Sequence, residues 1–192
     1  MVHKLYFRYG TMNSSKTANL LMVAHNYKQQ GKNILLIKPI VDNRFGNDII
    51  KSRCGLEYKA DYVLERDDND LKIIDGECLN KIDAILVDEA QFLTKKQVEK
   101  LRELSYYVPV LCYGLRTDYK TNLFEGSKRL MELSDSIEEI KTICTFCNKK
   151  AIINLKYSNK KIIKDGTDEI DLGAEEKYLS SCWYCWYSKN EI

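Results

Sequence analysis

Long apolar runs are missing from this chain: none approaches the roughly 20 residues needed to cross a bilayer. The opening segment MVHKLYFRYG also lacks the apolar stretch of a secretory signal. A cytoplasmic protein without a membrane partner is therefore expected. Charge of one sign is missing too, because 30 Lys and Arg balance 28 Asp and Glu to a net +2. No concentrated basic stripe calls for nucleic acid. Internal repeats and low-complexity tracts are absent. There are only two prolines, and with the many Lys, Asn, Ile and Tyr they reflect AT-rich codons rather than function. Two histidines, His3 and His25, stand alone and are given no role.

What is present is a chain of 192 residues with 44% hydrophobic content, enough for one domain with a real core and a small appendage. Up to about residue 141, strand-like and helix-like segments alternate. Strands are expected at 4–9, 33–40, 62–65, 82–89, 108–115 and 136–144. Helices are expected at 17–30, 94–107 and 126–135, with a weaker one at 69–80. Continuous apolar runs such as NILLIKPI suit strands buried on both faces. Thr94 with Gln97 reads as a capping box, and Gly31 as a helix stop. The pattern predicts an α/β fold: a mainly parallel sheet flanked by helices. From residue 142 on the character changes. Strand-like pieces at 151–158 and 176–184 flank a charged, glycine-punctuated loop, 159–175. The expected division is an α/β domain over 1–141 and a small β lobe over 142–192.

Three motifs carry chemistry. The first is GTMNSSKT: Gly10, Thr11, Met12, Asn13, Ser14, Ser15, Lys16 and Thr17. It lies between a predicted strand and a predicted helix, where backbone N–H groups and a helix N-terminus can surround phosphate. Lys16 would reach the β- and γ-phosphates, and the Thr17 hydroxyl would bind Mg²⁺. The usual pattern has glycine where Ser15 stands, and a left-handed backbone there would cost serine about 1–2 kcal/mol. The second is ILVDEAQF, whose strand ends in Asp88 and Glu89. Ligands gather at the C-terminal ends of parallel strands. Asp88 can hold Mg²⁺ opposite Thr17, and Glu89 can accept a proton from an attacking hydroxyl or water. The third comprises four of the seven cysteines, Cys144-x-x-Cys147 and Cys182-x-x-Cys185. Two such pairs make a closed tetrahedral site for a structural zinc. The odd cysteine total, with Cys54, Cys78 and Cys112 scattered, argues against a disulfide framework.

The phosphate loop, the Asp-Glu strand end followed by Gln91 and Phe92, and the four-cysteine tail together resemble the thymidine kinases of the cellular and bacterial type. VPVLCYGLRTDYKTNLFEGS and DLGAEEKYLSSC extend the resemblance over essentially the whole chain. The resemblance implies a P-loop, RecA-like fold. It also implies transfer of the γ-phosphoryl group of ATP to the 5′-hydroxyl of thymidine. Glu89 would be the general base, with Gly10 to Thr17, Asp88 and Gln91 at the ATP phosphates. Met12, Phe92, Leu115, Tyr119, Phe124 and Tyr178 would line the nucleoside pocket. A lasso loop at about 159–177 would read the base through the backbone of Asp171, Leu172, Gly173 and Ala174. Arg44 and Arg53 would offset developing phosphate charge. The same resemblance implies a homotetramer and feedback inhibition by thymidine triphosphate (dTTP). Two other readings stay open on the residues alone: a P-loop ATPase whose zinc lobe binds nucleic acid, and a non-catalytic nucleotide-binding relative.

Overall fold

The computed structural model describes residues 3–42, 46, 48–74, 76–166 and 177–192. In chain order the elements begin with β1 (Leu5–Tyr9), α1 (Lys16–Gln29), β2 (Ile34–Pro39), β3 (Ile49–Lys51), β4 (Glu57–Lys59) and β5 (Tyr62–Leu64). Next come α2 (Gly76–Leu79), β6 (Ala84–Val87), a 3-10 turn (Ala90–Phe92), α3 (Lys95–Leu104), β7 (Val110–Gly114) and α4 (Glu125–Leu133). The chain closes with β8 (Ser136–Glu139), β9 (Ile153–Ser158), β10 (Lys161–Ile163), β11 (Tyr178–Ser181) and α5 (Trp183–Ser188).

Six strands form one sheet in the order β5-β2-β6-β7-β1-β8, with every pairing parallel. Its central strands are buried along their whole length because helices cover both faces. Alternate residues serve opposite faces. Leu36, Leu86, Leu111 and Tyr113 meet Leu20, Leu21 and Ala24 of α1. Ile37, Ile85, Val87 and Cys112 meet Val98, Leu101 and Leu104 of α3 and Leu130 of α4. The capping box forms as expected, with the Gln97 N–H donating to Thr94 Oγ1 at 3.2 Å and the Thr94 N–H to Gln97 Oε1 at 3.0 Å. The order leaves β7 between β6 and β1. The loops that follow β6 and β1 therefore emerge on the same edge, two strands apart.

A second sheet, β10-β9-β11, is antiparallel. Cys144 and Cys147 precede β9, while Cys182 and Cys185 follow β11.

Four expectations change. The polar stretch after β2 contains a hairpin, β3–β4. The expected helix at 69–80 shrinks to Gly76–Leu79, because Leu71 is buried at φ 48, outside helical space. The expected loop at 159–175 begins with β10, which pairs back on β9; residues 167–176 lie outside the described residues. The strand read over 176–184 ends at Ser181, and α5 follows. In α5, Trp183 is 52% exposed, stacked on Tyr187 and tilted against Trp186.

Candidate functional site

The loop from Gly10 to Thr17 joins β1 to α1. Its start is fixed by the Gly10 N–H, which donates to Gly114 O at the end of β7 at 3.3 Å. A Cβ on Gly10 would lie 2.5 Å from Ile140 O, so only glycine fits there. Two loop residues are left-handed: Asn13 at φ 63 and Ser15 at φ 61. Ser15 thus holds the conformation that the usual glycine supplies. The loop is closed by the Ser14 N–H to Thr11 O at 3.3 Å and by Lys16 Nζ to the same carbonyl at 2.8 Å. Ser14 Oγ is buried and has no hydrogen-bond partner among the described residues.

Opposite the loop, β6 ends at Asp88. Thr17 Oγ1 donates to Asp88 Oδ1 at 3.3 Å. Burial, reinforced by the neighbouring Glu89 charge, pushes the Asp88 carboxyl up to about 7. Two oxygens this close, one a buried carboxylate without a salt bridge among the described residues, suit a small hard cation such as Mg²⁺. Glu89 is itself left-handed, at φ 47 and ψ 39, which turns its side chain away from the strand line. Gln91 is 2% exposed and bonded at both ends of its amide. Its Nε2 donates to Glu89 Oε2, and its Oε1 accepts from the Leu115 N–H at 2.9 Å. Gln91 was expected among the phosphate-binding residues; here its amide faces Glu89 and Leu115.

The aromatic residues expected to line a nucleoside pocket fall into two groups. Phe92 and Phe124 meet edge to face, with ring centroids 6.1 Å apart. Tyr119 and Tyr178, both buried, share one cation: Lys156 Nζ lies 4.9 Å from the first ring centroid and 6.0 Å from the second. Leu115 is buried just after β7, and Ser127 Oγ donates to its carbonyl at 2.5 Å. Arg53 lies exposed in the β3–β4 turn. Arg44 and the stretch Asp171, Leu172, Gly173 and Ala174 lie outside the described residues.

The structure adds three residues that the sequence reading passed over. Asn154 and Lys156 occupy alternate positions on β9, and Ser180 pairs with Asn154 across the sheet. The signal available was two polar residues, two apart, in an otherwise buried strand, INLKYS.

The four cysteines come together at the base of the small sheet. Their sulfurs all lie within 4.8 Å of one another. Cys147 Sγ is 3.7 Å from both Cys182 Sγ and Cys185 Sγ. A tetrahedron with metal–sulfur bonds of about 2.3 Å has edges of about 3.8 Å, so the set fits a tetrahedral metal. Burial opposes ionisation of Cys144, and backbone N–H donors including those of Cys182 and Phe146 outweigh it, bringing this thiol down to about 6. The cluster can hold a structural metal ion.

A parallel sheet with a lysine-bearing loop after its first strand, facing a strand-end acid, defines a P-loop nucleotide-binding α/β protein; a cysteine-bound β lobe is added to it. The family model described as thymidine kinase matches residues 3–186. A thymidine kinase of Streptococcus pyogenes serotype M3 is 42% identical over 93% of this chain and 94% of its own length. One from Encephalitozoon cuniculi is 41% identical over 96% of this chain and 87% of its own length. A solved DNA replication initiation factor is similar over 72% of this chain and 40% of its own, with 14% identity and a TM-score of 0.41, too slight to bear on function. The chain belongs to the thymidine kinase family.

Proposed function

We infer that the protein transfers the γ-phosphoryl group of ATP to the 5′-hydroxyl of thymidine, giving thymidine 5′-phosphate and ADP. The observation that carries this reading is the facing of Thr17 and Asp88 at 3.3 Å, with Glu89 held next to them by Gln91. Such a reaction asks the protein for positioning and charge stabilisation more than for covalent chemistry. The loop N–H groups and Lys16 bind the donor phosphates. Thr17 and Asp88 would hold Mg²⁺, which supplies charge neutralisation at the transferring group. Glu89 accepts the proton of the 5′-hydroxyl as its oxygen bonds to the γ-phosphorus and the bond to the β-bridging oxygen breaks. Gln91 holds Glu89 in place. Met12, Phe92, Leu115, Tyr119, Phe124 and Tyr178 wall the nucleoside, and Asp171 to Ala174 read the base. Arg44 and Arg53 offset developing charge.

The division is an ATP-binding domain at 1–141 and a zinc lobe at 142–192, with zinc on Cys144, Cys147, Cys182 and Cys185. Family membership supports a cytoplasmic homotetramer inhibited by dTTP. No described helix is long and apolar enough to cross a membrane. Glu89→Gln tests the mechanism. Turnover is expected to fall by about 10²–10⁴-fold while ATP binding persists. Retained turnover would remove Glu89 as the base.

A further inference from the structure

We propose that Asn154 and Ser180 are positioning residues, through which the cysteine-bound lobe sets the geometry of the phosphate loop. The two residues are direct partners across the β9–β11 ladder, and both grip one loop residue, Met12. Asn154 Oδ1 accepts from the Met12 N–H at 2.7 Å, and Ser180 Oγ donates to Met12 O. Thr11 Oγ1 adds a contact to Ser180 Oγ at 3.4 Å. The peptide groups on both sides of Met12 are thus fixed from outside the loop.

The grip is itself braced. Asn154 Nδ2 donates to Thr117 O at 3.1 Å, and Asn154, Ser180 and Thr117 are all nearly fully buried. The Ser180 carbonyl accepts from the Thr145 N–H at 2.8 Å and from Thr145 Oγ1 at 3.0 Å. Thr145 lies between Cys144 and Cys147, and Cys182 follows Ser180 by two residues. An unbroken chain of short contacts therefore runs from the cysteine knuckles to the loop. Two left-handed residues, Asn13 and Ser15, lie just beyond Met12, and at Ser15 that conformation is strained. External bonds on Met12 are what such a loop needs to stay open for phosphate.

This inference rests on reading residues 10–17 as the cradle for donor phosphate. Its test therefore separates binding from turnover. The dissociation constant of Mg-ATP is measured without nucleoside for Asn154→Ala, Ser180→Ala and Ser180→Thr, alongside bound metal and thermal midpoint. Losing these buried bonds is expected to weaken ATP binding by about tenfold at undiminished metal content, and Ser180→Thr, which keeps the hydroxyl, should recover most of it. If Asn154→Ala does not fold, Ser180→Ala carries the test alone, since it deletes one oxygen. ATP affinity within about twofold of the parent in the folded variants would overturn the proposal. So would a loss seen only where metal is lost. A parent that binds ATP but does not phosphorylate thymidine would refute the function and leave the clamp standing.

Discussion

Ser15 shows how one residue can depart from a motif and still hold the backbone conformation the motif requires. A left-handed serine costs about 1–2 kcal/mol, and the loop tolerates it because its neighbours are tied to Gly114, Thr11 and Asn154. Ser15→Gly should raise stability by about 1 kcal/mol in urea unfolding and leave activity unchanged. A clear loss of activity would mean that the serine side chain is used. Asp88 sets a pH dependence. Its carboxyl moves from 3.8 to about 7 on folding, chiefly through burial. Between these values the folded state keeps a proton that the unfolded state has released. This group's contribution is therefore favourable at low pH and is lost as pH rises to about 7. For the metal-free protein, the stability gain of Asp88→Asn over the parent should grow from pH 4 to pH 8; a constant gain would contradict the assignment. At the residue scale, the strain at Ser15 is legible from its local motif, and the pairing of Thr17 with Asp88, 71 residues apart, from two motifs that each end a strand of one parallel sheet. Asn154 and Ser180 are not, because they meet Met12 across 142 and 168 residues.

At the scale of elements, the long periodic segments are readable and the short ones are not. α3 is announced by its capping box and by Val98, Leu101 and Leu104, all of which are buried. The hairpin β3–β4 has three residues a side and no turn signature strong enough to separate it from loop. α5 misleads because WYCWYS has the composition of a strand. It is helical because Cys182 caps it, accepting from the Cys185 N–H at 3.5 Å within the cysteine knuckle. The cysteine cluster therefore dictates structure that propensity opposes. Stripping the metal with a chelator should expose residues 142–192 to protease while 1–141 stays protected, because binding free energy at such a site is folding free energy. An unchanged digestion pattern would show that the lobe folds without its ion.

The molecule as a whole places the Gly10–Thr17 loop and the strand-end acids Asp88 and Glu89 on one side of a parallel sheet, and ties the loop to a second sheet through Asn154 and Ser180. Its alternation of strand and helix was readable, and so were the strand-like pieces that build β9 and β11 of the small antiparallel sheet. The bonding of the second sheet to the loop after β1 was not, since Asn154 and Ser180 bind backbone groups of Met12, and the two polar positions in INLKYS do not say what they face. The central claim is that the hydroxyl accepting the phosphoryl group belongs to thymidine and not to water. The measurement is ADP release from Mg-ATP with thymidine, with deoxycytidine and with no nucleoside. ADP formed only with thymidine, and mole for mole with thymidine 5′-phosphate, is the expected result. ADP released at the same rate without nucleoside would contradict it.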